Sequence, residues 1–152
     1  MRKKQSAFTL VEVMIVVAII ADILIVAVPG LMRAKQSAQN ARFEEDLRIA
    51  SSAFMMYYTE NGSWPADSAA GVIPPGMTIY LKGMDFTGGT PLGGNWNWDV
   101  NAAAHQAGIS VLVPNSNFLQ MQRIDTQIDD GVLSTGAFQN VSADTYSYSL
   151  EY

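Results

Sequence analysis

From Phe8 to Val28 the chain is apolar at every position except Thr9, Glu12 and Asp22. As a helix these residues reach roughly 31 Å at about 1.5 Å each, which matches a hydrocarbon core of about 30 Å. The pattern predicts a helix able to span a membrane, in an apolar run that ends at Pro29. Beyond it the chain turns Ala- and Gln-rich, and apolar side chains recur at Phe43, Leu47, Ala50, Phe54 and Tyr57 in alternating steps of four and three. That spacing is one helical stripe. It carries the helix to about Glu60, where Asn61-Gly62 is a stop signal. The stripe is the expected bed for a sheet, and Glu44, Glu45 and Asp46 the solvated or subunit-facing side.

The period then changes to two. Trp96, Trp98 and Val100 alternate with Asn95, Asn97 and Asp99, and Ile109–Val113 is a short apolar run ended by Pro114. At the C-terminus Tyr146, Tyr148, Leu150 and Tyr152 fall on one face. These segments predict a small antiparallel sheet with its apolar side laid on the helix, an α+β fold. Between the last two, Met121, Ile124 and Ile128 form a helical stripe within Asn117–Asp130, with Gly131 as its stop. The Gly- and Pro-rich stretch from Gly71 to Gly94 reads as an irregular excursion holding one short strand near Met77–Lys82. Trp64, beside Pro65, is expected to anchor the turn after the long helix.

The acids in the apolar run carry the functional information. Charged groups inside a membrane helix are costly and mark function. A secretory signal peptide has an apolar region of about 7–15 residues followed by a small-residue cleavage site; here the run is longer, holds two acids and leads into Pro29-Gly30-Leu31. A plain single-pass anchor or a buried soluble helix has no use for Glu12. Arg2, Lys3 and Lys4 precede the run and favour a cytoplasmic N-terminus, while Arg33 and Lys35 beyond it oppose that bias. Glu12 and Asp22 are ten positions apart, about 280° around a helix, so they do not share a face. Asp22 and Pro29, seven apart, do.

Ala7-Phe8-Thr9-Leu10-Val11-Glu12, with Pro29 further on, resembles the prepilin signal of type IV pilins and of the pseudopilins of type II secretion. The Asn61-Gly-Ser-Trp-Pro65 turn is similar to the Asn-Gly-x-Tyr-Pro turn of many pseudopilins. The resemblance implies a pilin-like fold with four parts: a leader over 1–7, a transmembrane and assembly half of the helix over 8–28, its soluble half over 29–60, and a β-rich head over 61–152. It implies cleavage between Ala7 and Phe8 by a prepilin peptidase and methylation of the new Phe8 amine. It also implies assembly through Thr9, Glu12, Asp22 and Pro29, with the Glu12 carboxylate beside the Phe8 amine of a neighbouring subunit. Two departures stand out: Ala7 replaces the usual glycine before the cut, and Asp22 falls where relatives are uncharged. Two readings of Asp22 stay open, a solvent- or neighbour-facing acid and an ion pair with Arg33 or Lys35 of another subunit.

Partners implied in this way are further copies of the chain and related subunits, the peptidase, an inner-membrane assembly platform, and lipid before assembly. The implied location is the bacterial inner membrane with the head in the periplasm, followed by a periplasmic or cell-surface filament. A type II secretion-like system is the first expectation, and a major type IV pilin for adhesion or motility the alternative.

Composition narrows this picture. The formal charge is -5. Loss of residues 1–7 leaves six basic against fourteen acidic side chains, or -8. From Glu60 onward only Lys82 and Arg123 oppose nine acids, a surface unsuited to nucleic acid. The absence of cysteine excludes disulfides and thiolate zinc sites, and leans toward a pseudopilin. With one histidine (His105), no cysteine and no phosphate-cradling glycine loop, the chain is expected to have no catalytic centre and no cofactor. Asn95-Trp-Asn-Trp-Asp99 raises a membrane-tethered glycan binder, using Trp96 and Trp98, as a further alternative, against which burial on the helix is the commoner fate. Asp125, Asp129 and Asp130 are calcium candidates by clustering of hard oxygen ligands, with a solvated acidic helix end as the plainer expectation. Major pseudopilins hold calcium in a C-terminal loop whose ligand motif is not recognisable here.

Overall fold

The computed structural model describes residues 9–102 and 105–151. A helix α1 (Leu10–Asn61) is followed by two short 3-10 turns (Met77–Ile79, Leu81–Gly83), then β1 (Asn95–Ala102), β2 (His105–Leu112), α2 (Phe118–Ile128), β3 (Phe138–Ser142) and β4 (Thr145–Glu151). Two compact units divide the chain, Met1–Ser37 and Ala38–Tyr152.

The described residues of the first unit are Thr9 and the N-terminal stretch of α1. Its most apolar 18-residue window has a mean hydropathy of 2.9 and no buried residue, so it is long and apolar enough to cross a membrane. Helix α1 runs through Pro29, which lacks an N–H and so leaves the Ile25 carbonyl without its helical donor.

In the second unit, the predicted stripe of α1 is the core. Phe43, Leu47, Ala50 and Phe54 are buried, and Tyr57 packs against them. The helix stops where a residue must turn left-handed: Gly62 has φ 70° and donates to the Tyr58 carbonyl at 2.8 Å. Four antiparallel strands lie in the order β1-β2-β4-β3. Register pairs Trp96 with Val111, Trp98 with Ile109, and Val111 with Tyr146, which puts these side chains on one face. Trp96 stacks on Phe43 with ring centroids 5.1 Å apart, and Trp98 stacks on Phe54 at 3.9 Å. The buried Trp98 indole N–H donates to the Pro65 carbonyl at 3.1 Å. Trp64 is half-buried, stacks on Tyr58 at 4.5 Å, and donates its indole N–H to Glu151. It anchors the turn as expected. Helix α2 is capped by Asn117, whose side chain accepts from the Gln120 N–H at 2.9 Å, and it buries Met121 and Ile124.

The structure corrects the sequence reading in three places. Met77–Lys82 is not a strand. Met77 and Leu81 are buried four positions apart while Ile79 is exposed, so this segment follows a turn-like rather than an alternating pattern. Strand β3 was not foreseen, because only Phe138 of its five residues is fully buried and no apolar alternation marks it. Trp96 and Trp98 are 1% and 0% exposed, so neither ring offers a face to a sugar, and the glycan-binding alternative fails. Tyr152 lies outside the described residues.

Candidate functional site

Two regions hold the predicted site residues. At the start of α1, Thr9 and Glu12 form a reciprocal cap. The Thr9 N–H donates to Glu12 Oε2 at 2.8 Å, the Thr9 hydroxyl donates to the same oxygen at 2.9 Å, and the Glu12 N–H donates back to Thr9 Oγ1 at 3.2 Å. This capping box satisfies helix-end donors that have no partner further up the chain. The Thr-x-x-Glu spacing of the sequence is the signal for this cap, in addition to the inter-subunit role expected of Glu12. The carboxylate therefore has partners within its own chain, both on Thr9. Ala7 and Phe8, the predicted cleavage and methylation positions, lie outside the described residues. Asp22 and Pro29 sit on α1, both exposed.

The second region is the C-terminal end of α2. Asp125 is 0% exposed, and neither carboxylate oxygen has a hydrogen-bond partner. Asp129 caps the helix, and its Oδ2 accepts from the Ala137 N–H and, at 3.0 Å, from the Phe138 N–H. Asp130 accepts from the Val132 N–H at 2.8 Å and the Thr135 hydroxyl at 2.7 Å. The loop is wound tightly round these carboxylates. A Cβ at Gly136, whose φ is 76°, would stand 2.0 Å from Asp129 Oδ2. One oxygen from each of Asp125, Asp129 and Asp130 lies within 4.8 Å of the others. Burial, then the nearby Asp130 and Asp129, push the Asp125 carboxyl up to about 6. The Thr135 hydroxyl and the Val132 N–H hold Asp130 below the usual carboxylate range. The expectation of a solvated acidic helix end thus holds for Asp129 and Asp130 and fails for Asp125. Asp125 lies four residues after Met121 and next to Ile124, on the stripe that the core covers, and that position was the signal for its burial.

Residues 2–28 match the prokaryotic N-terminal methylation motif. The chain has the type IV pilin fold: it overlays on the major type IV pilin PilA1 of Clostridium difficile with a TM-score of 0.51 at 14% identity, covering 74% of this chain and 94% of that one. Its homologues include proteins of both filament systems. It is 30% identical to the type II secretion system core protein G of Pseudomonas aeruginosa, over 64% of this chain and 63% of that protein. It is 36% identical to core protein G of Escherichia coli, over 52% and 59%, and 35% identical to the type IV major pilin protein PilE1 of Neisseria gonorrhoeae, over 54% and 38%. The chain spans less than two thirds of the length of each of these three relatives.

Proposed function

We propose that this chain is a structural subunit of a pilin-like filament, built through its N-terminal helix in a type II secretion-like system. The observation that carries this reading is a prepilin-type motif over residues 2–28 on an exposed apolar helix that starts with a Thr9–Glu12 cap. A prepilin peptidase removes residues 1–7 and the Phe8 amine is methylated. The subunit waits in the inner membrane with residues beyond the helix in the periplasm. Assembly moves the apolar side chains from lipid to neighbouring helices, and Glu12 passes from its own Thr9 to the Phe8 amine of an adjacent copy. A paired charge is tolerated in such a bundle, and a partnerless one is not. Copies of the chain, related subunits, the peptidase and an inner-membrane platform are its partners. Its role is structural and not enzymatic.

Relatives named core protein G and the lack of cysteine favour the secretion filament. The relative named as a major pilin keeps a type IV pilus as the second reading. Co-expression with a prepilin peptidase, followed by mass spectrometry of the N-terminus, tests the processing: a chain beginning at N-methylated Phe8 is expected, and an uncut chain would overturn it. Restoration of cargo release in a secretion mutant lacking its major pseudopilin, as against restoration of piliation in a pilin mutant, separates the two systems.

A further inference from the structure

We propose that Asp22 of one copy pairs with Arg33 of a second, so that two α1 helices lie side by side, in parallel and shifted along their axes; this rests on the filament reading above. Thr9 engages Glu12, the other acid of the apolar run, within its own chain. Asp22 is what that leaves over. It is exposed on α1, as is Arg33, and among the described residues neither side chain has a hydrogen bond or an ion pair; the ion pair found there is Arg48–Glu45. An acid inside a membrane helix is costly and is met by a partner. From Asp22 to the end of the run at Val28 is roughly 9 Å of helix, too far for so short a side chain to reach the interface.

Helical geometry selects the partner. Because α1 continues through Pro29, angles counted from Asp22 hold beyond it. Arg33, eleven positions on, falls about 20° from Asp22, whereas Lys35, thirteen positions on, falls about 220° away on the other side. Val26 and Pro29 lie between Asp22 and Arg33 on the same exposed stripe. Within one chain the two charges stand about 16 Å apart along the axis, and Asp22 leans away from Arg33, since helical side chains tilt toward the N-terminus. The pair therefore forms between copies. Copies inserted in one direction have parallel helices, and a shift of about 16 Å, or less because Arg33 leans back, brings opposite charges together. At the full eleven-residue shift Val26 meets Ile15 of the neighbouring copy and Pro29 meets Ala18, so apolar and small side chains close round the pair. Charge complementarity thus commits this face to a second copy of the chain. Once it is enclosed between helices, removing one partner strands the other.

The test is a set of variants of the full chain, expressed with a prepilin peptidase and an assembly platform, with filament yield read by shearing and electron microscopy. Arg33→Gln strands the acid and should lower the yield about tenfold or more. Asp22→Ile removes the acid and leaves Arg33 beyond the apolar run, within reach of water, so it should keep about half the wild-type yield or more. The double variant should return to the Asp22→Ile level, because the two changes act on one contact. Lys35→Gln should stay within about twofold of wild type. The chain has no cysteine, so contact is read directly by cross-linking two differently tagged copies, one with Asp22→Cys and one with Arg33→Cys. A mixed dimer is expected, and none when Lys35→Cys replaces Arg33→Cys. Wild-type yield from Arg33→Gln, or equal cross-linking from position 35, would overturn the pairing. So would a loss in Arg33→Gln that Asp22→Ile does not relieve, which would assign Arg33 to a lipid headgroup instead. Wild-type chains that form no filament would overturn the filament reading and the pairing together, whereas wild-type filaments without the 22–33 link overturn the pairing alone.

Discussion

Replacing Trp98 tests how the second unit is held together. Trp98→Ala removes a fully buried indole that stacks on Phe54 at 3.9 Å. Large-to-small changes of this kind cost about 3–5 kcal/mol. The Pro65 carbonyl, which accepts from the indole at 3.1 Å, is left without that donor, at about 1–3 kcal/mol if water does not reach it. The combined loss is about 4–8 kcal/mol. The unit from Ala38 to Tyr152 has 115 residues, and at about 0.05–0.15 kcal/mol per residue its stability is about 6–17 kcal/mol. Trp98→Ala should therefore remove about a quarter or more of that stability and unfold the unit if it lies near the lower bound. Trp98→Phe retains a ring against Phe54 and gives up the hydrogen bond and part of the volume, so it should lose about half as much. Urea unfolding of the full chain in detergent, followed through the fluorescence of the remaining tryptophans and by circular dichroism, measures both variants. A loss below about 1 kcal/mol for Trp98→Ala would refute the argument, because a ring that served a ligand rather than the core would leave stability almost unchanged.

Glu12→Ala should leave expression, membrane insertion and the fluorescence of the second unit as in the wild type while abolishing filaments in electron micrographs; wild-type filament yield would remove Glu12 from assembly. Thr9→Ala, which removes the two hydroxyl hydrogen bonds of the cap and keeps Glu12, should reduce that yield far less; equal losses in the two variants would mean that the cap within the subunit, and not a contact between subunits, is what assembly needs. Val113 is β-branched, 63% exposed and held at φ 52°, a conformation that costs a side chain of this kind about 1–2 kcal/mol. Val113→Gly should raise stability by about 1 kcal/mol in the same urea assay, and a loss would show that its side chain packs more than its exposure indicates.

Much of the fold was legible because its elements repeat with a clean period. The 43-47-50-54-57 stripe declared the packed face of α1, and the alternation through Trp96 and Trp98 declared both β1 and the side on which the indoles are buried. Strand β3 was hidden because it is short and mostly polar, and because it exists through its pairing with β4, a contact distant in sequence that no local pattern encodes. Met77–Lys82 misled because three alternate apolar residues also fit a pair of turns, and the choice between them rests on which side chains the core accepts.

The sequence by itself determined the two ends of the argument. Hydrophobic length, the acids at 12 and 22, and the basic residues at 2–4 define a membrane-competent helix within an N-terminal methylation motif, because the relevant energies depend on composition and spacing along a single helix. Only the tertiary structure decided what Asp125 is. Three nearby aspartates look alike in a list of residues, but the packing of α2 takes one of them out of water, and the loop from Asp129 to Phe138 occupies the other two with backbone and hydroxyl donors. Burial and partnership depend on contacts that the chain makes only once it is folded, and those contacts set one aspartate of the helix end apart from the other two.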